Sequence, residues 1–336
     1  MVNIANNLNL KVKFCDLEYR TGSVDLKELK KQISKQTLAI VLTNMFNSYK
    51  SSIEIKKIAK RSKITLIEDN AIYFDNFYKK NKKKYFSGEL GDFAIYSFNI
   101  MKNISSLYGG AVSTRNKNFI KYCSDENNKM EKFYSSILLK QVIIFFILKI
   151  MSLKILYKNV FIHIIKFAHK YEVKSFLKLF YPSLKSVKVN FPKYYYTRIS
   201  DLSLLLTYSQ LKNINRRKRL FELRRSKNDY YFKKLFKIKN KGFNLIKITD
   251  QNYQNFLDFP ILVKNKKHLN NYLLKKGIEV RFKHYYNCQK LFKIGKKCIN
   301  AERYEKELIC LPNHPKISMP YIDFIVKNIE VYYSRT

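Results

Sequence analysis

The chain has 336 residues, 46% of them hydrophobic, enough for two lobes sharing a large core and too apolar for a disordered protein. Lys and Arg number 66 against 25 Asp and Glu, a net charge of +41, which points to an anionic partner or to compositional drift. Drift fits the even spread of Lys, the scarcity of Gly (8) and Pro (6) and the lack of Trp, and no zinc finger or aromatic-interleaved basic motif marks a specific nucleic-acid reader.

Residues 10–114 alternate short apolar runs with amphipathic stretches. Leu38–Leu42, Ile64–Ile67 and Phe93–Phe98 read as strands buried on both faces of a parallel sheet, because they lack polar alternation. Asp25 and Glu28 form a capping pair for a helix with Leu26, Leu29 and Ile33 on one face, and Ile55, Ile58 and Ala59 mark the next helix. Strand and helix in alternation predict an α/β layer fold with a mostly parallel sheet flanked by helices.

Residues 124–190 have no glycine and carry apolar stretches such as Val142–Leu148, interrupted by Lys140, Lys149, Lys154 and Lys158. No run reaches the roughly 18–20 apolar residues of a spanning helix. Two or three inserted helices are expected, lying on a membrane surface through 137–165 or packed on the protein or a partner subunit. A long helix is expected from Asp201, with Leu205, Leu211 and Ile214 at helical spacing. A small α+β lobe follows, with strands at Phe256–Val263 and Ile278–Phe282 and helices at His268–Lys276 and Pro320–Tyr333. The expected division is a cofactor-binding part over 1–123, the apolar insertion over 124–196, and a connecting helix with a small domain over 197–336. Cys15, Cys123, Cys288, Cys298 and Cys310 form no C-x-x-C pair and read as free thiols of a cytoplasmic protein. The N-terminus has no basic-then-apolar signal layout.

In a parallel sheet the carboxyl ends of the strands meet at one edge, where ligands bind. Thr43 and Asn44, Glu68 and Asp69, and Ser97, Asn99 and Lys102 fall there. A lysine amine, a carboxylate and a hydroxyl on neighbouring strand ends suit pyridoxal 5'-phosphate. The amine condenses with the cofactor aldehyde, the carboxylate faces the ring nitrogen, and hydroxyls and amides take the phosphate. Lys102, Asp69 and Ser97 are the candidates. Each taken alone has an ordinary structural explanation: a surface lysine, a helix cap and a backbone-bonding serine.

The words around them resemble the DegT–StrS family of nucleotide-sugar aminotransferases. TLAIVLTNMF and IEIKKIAKRSKITLIEDNA resemble the family's strand, helix and acidic turn, aligning Asp69 with the pyridinium-binding Asp. GELGDFAIYSFNIMKNISSLYGGAVSTRN resembles its G-D…S-F…K…G-G-A-V signature, aligning Lys102 with the cofactor lysine and Ser97 with a phosphate-binding serine, with Gly91, Asp92, Gly109 and Gly110 in register. LLTYSQLKNINRRKRL, KKGIEVRFKHYYN and ICLPNHPKIS resemble later family segments, so the likeness runs from about residue 5 to 332 around the insertion. The resemblance implies a fold type I pyridoxal enzyme working as a homodimer. It implies transfer of an amino group, usually from glutamate, to a nucleotide-linked keto-sugar for surface polysaccharide or glycoconjugate synthesis. Arg281, His284 and Tyr285, with Asn99, become candidates for substrate contact. A dehydratase relative would carry His in place of Lys102.

Three departures accompany the likeness. The family's amino-terminal portion, with its Gly-Thr/Ser phosphate loop and ring-stacking aromatic, has no counterpart before Asp69. Ile72 stands where Gln is common, and Tyr196 falls near the position of the partner-donated Asn. They imply two alternatives: a catalytically inactive relative that binds cofactor or sugar nucleotide, or a basic membrane-surface protein. They also imply poor solubility or pairing with a separately encoded amino-terminal fragment.

Overall fold

The computed structural model describes residues 1–335 apart from 47, 101, 172, 174–190, 239–241, 248, 249, 251, 255, 256 and 284. In chain order come α1 (Val2–Asn7), α2 (Leu26–Gln32), β1 (Ala39–Thr43), α3 (Tyr49–Arg61), β2 (Thr65–Asp69), the hairpin β3 (Phe77–Lys80) and β4 (Lys83–Phe86), β5 (Phe93–Ser97), β6 (Gly110–Thr114) and α4 (Lys117–Lys129). The apolar segment gives α5 (Ser135–Met151), a single turn α6 (Lys154–Leu156), a π turn at Tyr157–Phe161 and α7 (Ile162–Lys170). Then follow α8 (Asp201–Lys212), α9 (Ile214–Phe236), β7 (Phe243–Leu245), β8 (Asp258–Val263), α10 (Lys266–Lys275), α11 (Cys288–Phe292), α12 (Ile299–Glu307), β9 (Leu308–Pro312) and α13 (Met319–Ser334).

The main sheet runs β1-β2-β5-β6, with β1, β2 and β5 parallel and β6 antiparallel on the edge. Leu42, Leu66 and Ala94 point to one face and are buried; Leu42 and Leu66 pack with Leu29 of α2 and Ile55 and Ala59 of α3. The opposite face carries Val41, Asp69, Ser97 and Val112. Val41 and Val112 are 41% and 51% exposed. The expectation of strands buried on both faces is therefore corrected. Helices α2 and α3 seal one side, while on the other Phe93 packs on Phe119 of α4 and Val41 and Val112 stay exposed, so the apolar runs mark β propensity as well as burial.

The small lobe is closed. Its three-stranded sheet β7-β8-β9 packs Ile261, Leu269, Leu273, Ile309, Ile322, Ile325 and Ile329, all fully buried, between α10 and α13. Ile278–Phe282 does not form a strand. Arg281 exchanges two backbone hydrogen bonds with Cys310 at 3.0 and 2.9 Å, and the ladder stops there. The next bonded partner on β9 would be Pro312, which has no N–H to donate. Phe256, the expected start of β8, lies outside the described residues.

Two further expectations change. The long helix from Asp201 breaks at Asn213, whose side chain caps Arg216 N at 3.0 Å and so ends one helix while starting the next. On α8 the buried positions are Ser203 and Thr207; Leu205 and Ile214 stand exposed, with Leu204 and Tyr208. Asp25 does cap α2, accepting from Lys27 N and Glu28 N, but Glu28 closes no box: it accepts from Asp16 N instead. The hairpin β3–β4 was hidden in the lysine run 79–84. Asn81 and Lys82, both at positive φ, make its two-residue turn. All five cysteines are free.

Candidate active site

Adjacent residues of β2 divide the work of the sheet. Glu68, fully buried, accepts from Gly88 N, Leu90 N and Gly91 N at 2.7–3.0 Å and from Asn44 Nδ2 at 3.3 Å. It thereby pins the turn before β5. Gly91 permits this approach, because a Cβ there would come within 2.8 Å of Leu66 O and Phe93 O. Asp92 finishes the turn, accepting from Leu66 N at 2.8 Å. Asp69 points the other way, onto the open face, half-buried, with one oxygen taking Ala71 N at 3.1 Å.

Lys102 sits in the loop from β5 to β6. Its N–H donates to Asn99 O at 3.2 Å. Ser106 braces the loop: its N–H and Oγ both reach Phe98 O, and Oγ also reaches Tyr108 O. From α8, Gln210 grips Ser105 twice, accepting from its N–H at 3.2 Å and donating to its carbonyl at 2.8 Å. Burial pulls the half-buried Lys102 amine below the usual lysine range; the Asp69 carboxylate pushes back, Arg281 adds to the lowering, and Asp258 opposes it. Lys102, Asp69, Arg281 and Asp258 thus share one electrostatic neighbourhood.

Arg281 and Asp258 form an ion pair at 2.8 Å, with the Asp258 side chain 6% exposed. Behind it, burial holds the Arg224 guanidinium down to about 10, with Asp258 raising and Arg281 lowering it. Arg224 on α9 donates to Asn313 O, and Lys227 donates to His314 O, which hangs the LPNHP turn on that helix. A cleft beside the Lys102 loop is lined by Phe74, Asn103, Gln210, Arg216, Arg217 and Arg224. Arg217 pairs with Asp75 at 3.5 Å.

Of the sequence candidates, Asp69 and Arg281 lie within electrostatic reach of Lys102. Ser97 ends β5 opposite Gly110, on the same sheet face as Asp69. Asn99 is exposed, and its side chain accepts from Ile100 N at 2.8 Å, shaping the turn that carries Lys102. Tyr285 packs its ring on Phe46, centroids 5.8 Å apart, in the cluster around Tyr304 and Cys310. His284 lies outside the described residues. Ile72 is part of the apolar cluster with Tyr49, Tyr73, Leu90 and Tyr253, which explains an apolar residue there. Tyr196 is exposed in a short 3-10 turn at Lys193–Tyr196. Sequence reasoning missed Arg224, Asp258 and Gln210. The first was lost among neighbouring arginines, and the other two gain meaning only from long-range contacts.

A sequence model of the DegT/DnrJ/EryC1/StrS aminotransferase family matches residues 1–136 and 186–330. The chain belongs to the DegT/DnrJ/EryC1/StrS aminotransferase family. It is 25% identical over 337 aligned residues to the UDP-4-amino-4,6-dideoxy-N-acetyl-beta-L-altrosamine transaminase of Campylobacter jejuni strain 81-176, covering 96% of this chain and 73% of that one. The fold matches Helicobacter pylori PseC, an aminotransferase of pseudaminic acid biosynthesis, with TM-score 0.68 and 18% identity over 99% of this chain and 76% of that one. It also matches the E. coli GDP-4-keto-6-deoxy-D-mannose-3-dehydratase with bound hydrated pyridoxal phosphate, at TM-score 0.66 and 20% identity over 96% and 75% of the two chains. Pyridoxal 5'-phosphate is the cofactor of this family. The residues of this DegT/DnrJ/EryC1/StrS chain fit that group: a desolvated amine at Lys102, a carboxylate electrostatically coupled to it at Asp69, and a hydroxyl at Ser97 on the same face.

Proposed function

We propose that this protein transfers an amino group, from glutamate or a similar donor, to a keto-sugar carried on a nucleoside diphosphate, in surface polysaccharide or glycoconjugate synthesis. The observation that supports the reading is a half-buried Lys102, in the loop after β5, within electrostatic reach of Asp69 at the end of β2. When bound, pyridoxal phosphate supplies the electron sink for moving an amino group between substrates. Lys102 holds the cofactor and then moves the substrate proton as base and acid; its desolvation favours the neutral amine this needs. Asp69 keeps the ring nitrogen protonated, and Ser97 takes part of the phosphate. Arg281, steered by Asp258, and Arg224 offer cations to substrate anions, and the arginine-lined cleft at Arg216 and Arg217 suits a diphosphate. Lys102, where dehydratases of this fold carry His, favours amination over dehydration.

The proposal extends to assembly. A second copy of the chain, or a separately encoded amino-terminal piece, covers the open face of the sheet and the outward side of α8. The exposure of Leu38, Val41 and Val112, and of Leu204, Leu205 and Tyr208, supports it.

The test uses the full chain mixed with pyridoxal phosphate. A visible absorbance band that appears with the native chain and vanishes in Lys102→Ala is expected. Turnover is then followed with glutamate and a UDP- or GDP-linked 4-keto-sugar. A band that persists unchanged in Lys102→Ala overturns the assignment of the lysine, and a normal band without turnover on any keto-sugar nucleotide overturns the reaction.

A further inference from the structure

The stretch 137–185 lies between the two parts of the chain that the family model matches, so what it does need not be what the family does. Its described helices are held by one side. Met151, Ile162 and Ile165 are buried, Ile162 and Ile165 pack on Leu274 of α10, and Lys166 Nζ donates to Lys275 O at 3.2 Å. On α5, at about 100° per residue, Ile137, Gln141, Ile144, Leu148 and Met151 turn toward the protein. Gln141 donates from there to Tyr108 Oη at 3.0 Å.

The opposite side of α5 is apolar too. Leu139, Ile143, Phe146 and Ile150, spaced i, i+4, i+7 and i+11, form a stripe of side chains between 50% and 60% exposed. Lys140 and Lys149 flank that stripe on either side. Leu153, Ile155, Val160, Ile164 and Phe167 continue the apolar surface, with Lys154 and Lys158 exposed among them. From Lys132 to Tyr171 the sequence has no Asp or Glu. A helix that is apolar all round is ordinarily buried all round. Here, among the described residues, nothing seals the second side, and the charged groups on its rim are lysines.

We propose that α5 and the segment through α7 form a docking surface for an anionic phospholipid bilayer. The stripe sinks among the acyl chains, and Lys140, Lys149, Lys154 and Lys158 meet the headgroups. The segment lies on the bilayer and does not span it. Among the described residues no single helix is long and apolar enough to cross; Ser135–Met151 and Lys154–Ala168 reach that length and hydropathy only together, and they bend by 75° relative to each other. A second copy of the chain is the poorer occupant. A twofold contact through this face sets one lysine-rimmed surface against another, with no carboxylate from Lys132 to Tyr171 to meet them. Because Gln141 touches Tyr108, docking brings the bilayer close to the loop that carries Lys102, although the proposal stands without the catalytic reading.

The absence of tryptophan allows a clean reporter. Leu139→Trp, at a 60% exposed position of the stripe, gives a full-length protein with one indole in this surface. With phosphatidylglycerol vesicles the emission moves to the blue and the protein co-sediments. With phosphatidylcholine vesicles neither happens. Adding Ile143→Asp and Phe146→Asp abolishes both signals while circular dichroism stays unchanged, and exchanging the four lysines for Gln weakens co-sedimentation at least tenfold. Co-sedimentation without the blue shift means charge alone binds and overturns the docking surface. So does a blue shift without vesicles that follows protein concentration and a dimer in sedimentation equilibrium, and so does no binding to phosphatidylglycerol at all.

Discussion

The two sheets of this protein are finished to different degrees. Around β7-β8-β9 every inward aliphatic is sealed between α10 and α13. Around β1-β2-β5-β6 helices seal one face, and the other face is covered only in part, with Phe93 against Phe119 of α4 and Val41 and Val112 exposed. The candidate active site sits on the open face, while the closed lobe delivers Arg281 and Asp258 to it. Stability is thus concentrated where no chemistry is proposed, and the reactive groups stand where a cofactor, a substrate or another chain still has room to add contacts.

That contrast can be broken by mutation. Ile325→Ala removes fully buried volume from the closed lobe and is expected to cost about 3–4 kcal/mol, against within about 0.5 kcal/mol for Val41→Ala on the open face. Chemical denaturation measures both, and equal losses would erase the distinction. Next in size is Asp258→Asn, which leaves the Arg281 guanidinium without its carboxylate. A loss of about 2–3 kcal/mol is expected, less than the about 3–5 kcal/mol of a fully buried pair because Arg281 keeps some solvent.

A sharper version compares neighbours on one strand. Glu68→Gln takes away one of two charged oxygens that together receive four N–H groups, and a loss of about 2 kcal/mol is expected. Asp69→Asn keeps an oxygen for Ala71 N and should cost about 0.5 kcal/mol or less. The order inverts for cofactor: Asp69→Asn weakens pyridoxal phosphate retention in equilibrium dialysis, and Glu68→Gln does so only as far as the fold loosens.

The smallest effect depends on pH. In the folded chain the Lys102 amine titrates below its ordinary 10.5, so the unfolded chain binds more protons in the interval between the two values. The folded state therefore carries a penalty at neutral pH that fades as pH climbs through that interval toward 10.5. Lys102→Gln without cofactor should melt slightly higher than the native chain at pH 7, with the gap narrowing by pH 10. A gap that widens with pH would mean that attraction to Asp69 outweighs desolvation.

Much of this was legible in the sequence because it is local. The apolar runs Leu38–Leu42, Ile64–Ile67 and Phe93–Phe98 gave three parallel strands, and Asp69 and Ser97 do end two of them, with Lys102 in the loop that follows. What stayed hidden was set by distance or by competition. Asp258 becomes a site residue only through Arg281, and Gln210 only through Ser105, far apart in sequence. Asn213 breaks a helix that hydrophobic spacing alone continues, because its side chain competes for the backbone. The lysines of 79–84 masked a hairpin by looking like solvated loop. Leu205, expected at helical spacing with Leu211 and Ile214, stands exposed because Ser203, Thr207 and Gln210 occupy the inner side of α8.

That inversion ties two places together. Gln210 holds Ser105 as a strand would, by donor and acceptor at once, and Ser105 is three residues from Lys102. The greasy back of the same helix is a handle. A molecule that took hold of Leu204, Leu205 and Tyr208 would bear on the same helix that holds the Lys102 loop through Gln210.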